Sequence, residues 1–170
     1  MEFTLHNLPN HQAVEQVLGP HAAIQSSSIE TYLLFLRVAS DVFAAQQKQL
    51  ACFGLSDGKI SVLLQFLLAA PTPLSPSQLA ERVGVTRATI TDLVAGLVRD
   101  GWLTREACPQ DGRVALLHLT ETGHRRLEQA LPLHFQRIQN LMQALDSQEK
   151  QDLVRLLTKI SQNLSALQDL

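Results

Sequence analysis

The sequence predicts a mainly α protein with one small β hairpin, in which two short helices are followed directly by the hairpin. Three observations predict this fold. Apolar residues recur at helical spacing over most of the chain. Gly84 separates two short helical patterns, as in a helix-turn-helix. The pair Asp111-Gly112 lies between two short strand patterns, and such a pair is typical of a tight hairpin turn.

The composition limits the classes of protein to consider. The chain has 170 residues, of which 45% are hydrophobic, so one compact domain can bury a sizeable core. Its net charge of -2 excludes a binder that relies on bulk positive charge, and its 5% aromatic residues are too few for a base-stacking single-strand binder. Two cysteines cannot build a disulfide framework. We find no secretion signal, and the longest apolar run, 62–70, is too short to span a bilayer. We therefore expect a cytoplasmic protein with no membrane partner.

The N-terminal third is predicted to be helical. Residues 1–27 form an extension with one short helix at about 10–18, which Gly19 ends. Residues 28–53 form a long helix with two adjacent apolar stripes, and we expect such a helix to be largely buried. Ser56 is the predicted N-cap of the next helix.

Strong start signals mark the helix-turn-helix. Ser75 and Gln78 have the spacing of a capping box at the start of its first helix. Thr86 caps the second helix, whose apolar residues repeat at helical spacing up to Gly101. The second helix carries polar residues at its start, as a helix that reads DNA does.

The last part of the chain is predicted to contain the hairpin and two more helices. The strands are 103–107 and 114–119. Thr120 caps the next helix, which Pro132 should bend. Asp146 caps the last helix, which carries a heptad-like apolar seam.

Charge is segregated along the chain, and this favours DNA binding. Residues 82–126 contain seven arginines and five acids, although the whole chain is slightly acidic. Arginine suits forked contacts to phosphates and guanine edges. Arg87 and Thr91 lie one turn apart near the start of the second helix, where a recognition helix enters the major groove. Thr86 and the backbone N–H groups beside it could hold a phosphate.

Residues from Ile29 onward resemble the MarR (multiple antibiotic resistance regulator) family of transcription factors. The first motif that carries the resemblance is LAERVGV at 79–85, within the block 74–101. The second is Asp-Gly-Arg at 111–113, followed by LTETG at 119–123. The resemblance implies a winged helix-turn-helix that binds double-stranded DNA and, most often, represses transcription.

The family also assigns roles to the hairpin, which is its wing. In the family, the wing arginine lies in or beside the minor groove and an aspartate orients the wing. Carried over, Arg113 is the minor-groove residue and Asp111 orients it. The family often has a second arginine where this chain has Gly112, so one backbone contact is missing here. Taken together, the residues that we assign to DNA binding are Ser75, Thr86, Arg87, Ala88, Thr89, Thr91, Arg105, Asp111 and Arg113.

Family members are obligate dimers whose first and last two helices interlock. The resemblance therefore implies dimerisation helices at 28–53 and 120–170 around a DNA-binding domain at 54–119. The apolar seams of these helices are similar to those of the family, although an intramolecular bundle would show such seams too. A homodimer implies a roughly palindromic operator with half-sites about 34 Å apart.

Release from DNA by a small anionic or phenolic effector is common in the family. Tyr32, Arg37 and His134 are polar or amphipathic groups among apolar stripes that could meet such a compound, but each also suits an ordinary helix surface. Thiol oxidation is an alternative. Cys108 lies at the wing, whereas Cys52 is expected to be a small buried residue.

Two other function classes compete with this interpretation. A protein-interaction module that does not bind DNA is an alternative, because Asp92 and Asp100 would repel phosphate. An enzyme is not indicated, since His118, His124 and His134 lack metal-ligand spacing to the cysteines. No glycine-rich phosphate loop follows a strand, and no Ser or Cys lies in a nucleophile turn. We expect no catalytic residue, no metal and no cofactor.

Overall fold

The computed structural model describes residues 8–9, 11–19, 25–109 and 115–167. The chain divides into two compact units between Thr120 and Glu121. The elements are, in chain order, α1 (His11–Leu18), α2 (Ser26–Ala51), α3 (Asp57–Ala69), α4 (Pro76–Val83), α5 (Arg87–Arg99), β1 (Leu103–Ala107), β2 (Ala115–Leu119), α6 (Glu121–Met142), α7 (Ser147–Gln162) and a 3₁₀ turn (Leu164–Leu167). The mainly α fold class with one antiparallel hairpin is confirmed.

The core of the first unit holds the two short helices and the hairpin together. Helices α3, α4 and α5 pack against one another, and β1 pairs with β2. Leu74, just before α4, exchanges backbone hydrogen bonds of 3.2 and 2.9 Å with Leu117 of β2. The side chains that are fully buried in this core include Leu63, Leu74, Leu79, Ile90, Leu97 and Leu117. This arrangement fixes α5 against a rigid support and leaves its other face exposed.

The predicted caps at Ser56, Ser75 and Thr86 are confirmed, whereas the Thr120 hydroxyl donates to the Gly101 carbonyl at 2.8 Å. Ser56 accepts a hydrogen bond from the Lys59 backbone N–H, and Ser75 forms the predicted capping box with Gln78. Thr86 caps α5 in the same way as Ser56 caps α3. Gly84 ends α4 with a φ of 74°, a left-handed conformation that glycine adopts without strain.

Helix α2 differs from the prediction. It begins at Ser26, two residues before the predicted start, and ends at Ala51, two residues before the predicted end. Leu50 is its buried residue, whereas large apolar side chains along its length are exposed. The exposed set includes Tyr32, Leu34, Phe35, Val38, Val42 and Phe43. The expectation that α2 is largely buried is therefore wrong for the single chain, because large apolar side chains of both stripes remain exposed to solvent.

The second unit contains α6 and α7. Helix α6 continues through Pro132, and Leu127, Ala130 and His134 are among its buried residues. Helix α7 starts at the predicted Asp146 capping box, but it ends at Gln162, so the last part of the predicted seam lies in the 3₁₀ turn. Among the helices of the described ranges, none is both long and apolar enough to cross a bilayer.

Candidate nucleic-acid interface

The first turn of α5 is shaped by the Thr86 cap. The Thr86 hydroxyl oxygen accepts a hydrogen bond from the Thr89 backbone N–H at 3.2 Å, and the two hydroxyls lie 2.9 Å apart. The backbone N–H groups of Arg87 and Ala88 have no acceptor within a helix, since they lie in its first turn. Both residues are exposed. The start of α5 therefore presents N–H groups and a guanidinium to solvent, which suits a phosphate.

The outer face of α5 is exposed along its length. Ile90, Val94 and Leu97 face the core, whereas the solvent face carries Arg87, Ala88, Thr91, Asp92, Ala95 and Arg99. The Thr91 hydroxyl donates a hydrogen bond to the Arg87 carbonyl at 2.8 Å. The predicted residues Arg87, Ala88 and Thr91 thus share one accessible surface.

Ser75 lies at the start of the preceding helix. Its hydroxyl accepts from the Gln78 backbone N–H at 3.3 Å, and the Gln78 side chain accepts from the Ser75 backbone N–H at 2.8 Å. Ser75 is half-buried, and its hydroxyl oxygen belongs to the cap. Ser75 therefore lies at the capped N-terminal end of α4, and a phosphate contact by Ser75 would be made there.

Residues of α5 and of the hairpin line a common cleft. Arg105 lies on β1 opposite Leu117 in the strand register, and its side chain is exposed. The cleft has a volume of about 360 Å³. Its lining residues are Pro76, Thr91, Val94, Ala95, Val98, Arg99 and Arg105. The fold thereby brings Thr91 and Arg105 together at one site.

The wing tip lies outside the described residues. Asp111, Gly112 and Arg113 belong to the segment 110–114, so their predicted roles rest on the sequence. The two strands that lead to this segment are in place, with Ala107 opposite Ala115.

An ion pair that the sequence did not reveal fixes the end of α5. Lys59 Nζ lies 2.6 Å from Asp100 Oδ2, and Arg99 Nε lies 3.4 Å from Asp100 Oδ1. The hydrogen bond from Lys59 is the main reason that the pKa of Asp100 lies below its ordinary value, and Arg99 adds to this effect. The view of Asp100 as a free negative charge that repels phosphate is therefore wrong, because two cations neutralise it.

Two glycines make this arrangement possible. A Cβ at Gly96 would lie 3.3 Å from Lys59 Cε, so Gly96 leaves room for the lysine stem to cross α5. A Cβ at Gly58 would lie 2.9 Å from Leu93 Cδ2, so α3 and α5 pack closely there. The sequence did not reveal the roles of Gly58, Lys59 and Gly96. The spacing of apolar residues indicates which face of a helix is buried, but not which residues of other helices lie against that face.

The two cysteines differ in exposure. Cys108 follows β1 and is half-buried, whereas Cys52 is exposed. The prediction that Cys52 is buried is wrong, because it is the C-terminal cap of α2 and its thiol faces the Lys48 carbonyl at 3.5 Å. Arg37 pairs with Asp41 at 2.8 Å. Within the described part of the chain, no three His, Cys, Asp or Glu side chains are placed to hold a metal ion.

Comparison with known proteins gives consistent results. A family model described as the MarR family matches residues 53–114. The HTH-type transcriptional repressor YetL of Bacillus subtilis is 34% identical over 165 residues, which cover 97% of this chain and 99% of that protein.

Two solved structures are also similar. One is a mutant of MarR from Escherichia coli complexed with operator DNA, with 27% identity, a TM-score of 0.65, and coverage of 75% of this chain and 90% of that chain. The other is Sco3205, a MarR family regulator from Streptomyces coelicolor in complex with DNA, which shares the fold with a TM-score of 0.74 at 22% identity, over 86% of this chain and 97% of that chain.

Proposed function

The chain belongs to the MarR family of transcriptional regulators, and from that premise we propose that it acts as a homodimer that binds a roughly palindromic operator and represses transcription. Repression is the activity named for the relative YetL. The observation that carries the proposal is the exposed outer face of α5 beside Arg105 of the hairpin, whose two strands are joined in sequence by the segment that contains Arg113.

We propose that α5 is the recognition helix. Its first turn offers N–H groups at Arg87 and Ala88 for a phosphate, and the macrodipole adds partial positive charge there. Arg87 contacts a base edge or a phosphate in the major groove, and Thr91 contacts a base edge there. Thr86 and Thr89 hold the first turn in shape through their mutual hydrogen bond. Ser75 does the same for α4.

The wing makes the second set of contacts. Arg113 enters or flanks the minor groove, Asp111 orients it, and Arg105 supplies positive charge at the base of the hairpin. The low net charge of the chain, -2, means that these arginines carry the attraction to phosphate and that non-specific affinity is modest.

A second copy of the chain covers the apolar faces that α2, α6 and α7 leave exposed. These helices form the dimerisation region at 28–53 and 120–170, and residues 54–119 form the DNA-binding domain. On α6 and α7, the exposed apolar residues include Leu133, Phe135, Ile138, Leu141, Val154, Leu156, Leu157 and Ile160. Apolar patches on this scale mark interaction sites. Two-fold symmetry then places two copies of α5 in successive major grooves.

A small phenolic or anionic effector relieves the repression. The cleft beside α5 supports this part of the proposal, since apolar side chains and two arginines, Arg99 and Arg105, line it. Thr91 and Arg105 line the cleft and also belong to the proposed DNA surface. A compound in the cleft would therefore compete with DNA, and the two ligands would weaken each other by the same factor.

Salt-dependent binding tests the proposal. Fluorescence anisotropy of a labelled operator duplex, selected from a random pool, gives the affinity at several salt concentrations. We expect Arg87→Ala and Arg113→Ala to weaken binding and to lower the salt slope by about one for each phosphate that the variant no longer neutralises. Arg155→Ala, in α7, is the matched control. If Arg113→Ala leaves both affinity and slope unchanged, the wing model is wrong.

A further inference from the structure

We propose that Thr91 is a specificity-determining residue that reads the 5-methyl group of a thymine in the major groove of each half-site. This inference rests on the proposed role of α5 as the recognition helix. It concerns which atom of Thr91 meets the DNA and therefore which base the protein selects.

The hydroxyl of Thr91 is committed to its own helix. It donates a hydrogen bond to the Arg87 carbonyl at 2.8 Å, one turn earlier. A threonine hydroxyl has a single hydrogen to donate, so this hydrogen is not available for a purine N7 or a carbonyl oxygen of a base. Thr91 is nevertheless exposed, its hydroxyl oxygen can only accept a hydrogen bond, and its γ-methyl group is the apolar part that it can offer to a base.

The surroundings of Thr91 suit an apolar contact. It lines the cleft with Val94 and Ala95, which are apolar. Ala88 and Ala95, three residues before and four residues after it, lie on the same helix face and are exposed. Because both are short, neither holds the helix away from the groove floor at Thr91.

Thymine is the base that this surface fits. In the major groove, the C5-methyl group distinguishes thymine from the other three bases. Removing one methyl group from water contributes about fourfold in affinity, from the usual value of about 0.8 kcal/mol per buried carbon. With one such contact in each half-site, the effect on the whole operator is about 15-fold.

Replacement of thymine by deoxyuridine tests the proposal, because it removes only the methyl group. Each thymine of the selected duplex is replaced in turn, and affinity is measured for the full-length protein. We expect one thymine position, present in both half-sites, at which the replacement lowers the affinity of the wild-type protein about fourfold for each half-site. Thr91→Val, which keeps a methyl group and lacks the hydroxyl, should retain this preference. Thr91→Ser, which keeps the hydroxyl alone, should bind both duplexes equally.

Thr31→Ser is the matched control. Thr31 donates the same type of hydrogen bond, to the Ser27 carbonyl at 2.8 Å, but it lies in α2. This variant should keep the wild-type preference. The proposal is overturned if no deoxyuridine position affects wild type, if Thr91→Ser keeps the preference, or if Thr91→Val loses it. In these cases the protein still binds the selected duplex specifically, so only the role of Thr91 is refuted. A selection that enriches no duplex would instead refute the proposed function.

Discussion

Lys59 Nζ lies 2.6 Å from Asp100 Oδ2, across a sequence separation of 41 residues. Lys59 belongs to the first turn of α3, and Asp100 is the C-terminal cap of α5. The pair therefore ties the far end of the proposed recognition helix to the helix that supports it. It also neutralises a negative charge near the surface that we propose to face DNA.

The Lys59–Asp100 pair gives the stability a defined pH dependence. Because the pKa of Asp100 is lowered in the folded state, its carboxylate stabilises the fold above the ordinary value of 3.8. That stabilisation is lost as the pH falls through the lowered pKa. We expect wild type to resist urea better than Asp100→Asn near pH 7, and the difference to shrink below about pH 4.

Asp41→Asn is the control for the pH experiment. Asp41 pairs with Arg37 at a site where 62% of the aspartate side chain is exposed, and such surface pairs contribute little. A difference between wild type and Asp100→Asn that is constant across the pH range would contradict the role of the ion pair.

Gly58→Ala should destabilise the protein, although alanine normally favours a helix by up to about 1 kcal/mol. The new Cβ would lie 2.9 Å from Leu93 Cδ2, so the Leu93 side chain would have to shift within the contact between α3 and α5. Overpacking of this kind costs about 1–3 kcal/mol. Urea denaturation measures the loss, and it should be smaller in a Leu93→Ala background. A Gly58→Ala variant that is more stable than wild type would refute the close contact.

Thr86→Ala should weaken both the fold and DNA binding. It removes the oxygen that accepts from the Thr89 backbone N–H at 3.2 Å, and loss of such a cap costs about 1 kcal/mol. Thr86→Ser keeps the oxygen and should restore most of the stability. Thermal unfolding followed by circular dichroism gives the comparison. Equal stability of the alanine and serine variants would show that the cap bond contributes nothing.

The dimer proposal predicts that the C-terminal helices are needed for association. A chain truncated after Leu145 should lose the dimer, and Leu157→Glu should do the same by adding a charge to the apolar face of α7. Gln151→Glu adds the same charge elsewhere on α7 and should leave the dimer intact. Light scattering measures the molar mass. A truncated chain that remains a stable dimer would count against this assignment.

Local sequence signals predicted most of the fold, because they act over three or four residues. The caps at Ser56, Thr86 and Asp146 are examples, since each cap bond joins residues three apart. Contacts between distant segments were not predictable in this way. The pattern around Asp100 gave no sign of Lys59, whose position depends on how α3 crosses α5.

The same distinction explains the wrong expectation for α2. The spacing of its apolar residues indicates which faces favour burial, but it does not say what covers them. In the single chain these faces are exposed. For the proposed interface, the sequence supplied the residue types at α5, whereas the bond between Thr91 and the Arg87 carbonyl was visible only in three dimensions.

Selection of bound duplexes from a random pool, with the purified full-length protein, tests the central claim most directly. We expect enrichment of an inverted repeat whose half-sites are about 10 base pairs apart, bound by two chains. Selection that enriches no sequence, or that enriches one unsymmetrical site bound by a single chain, would contradict the proposal of a homodimer on a palindromic operator.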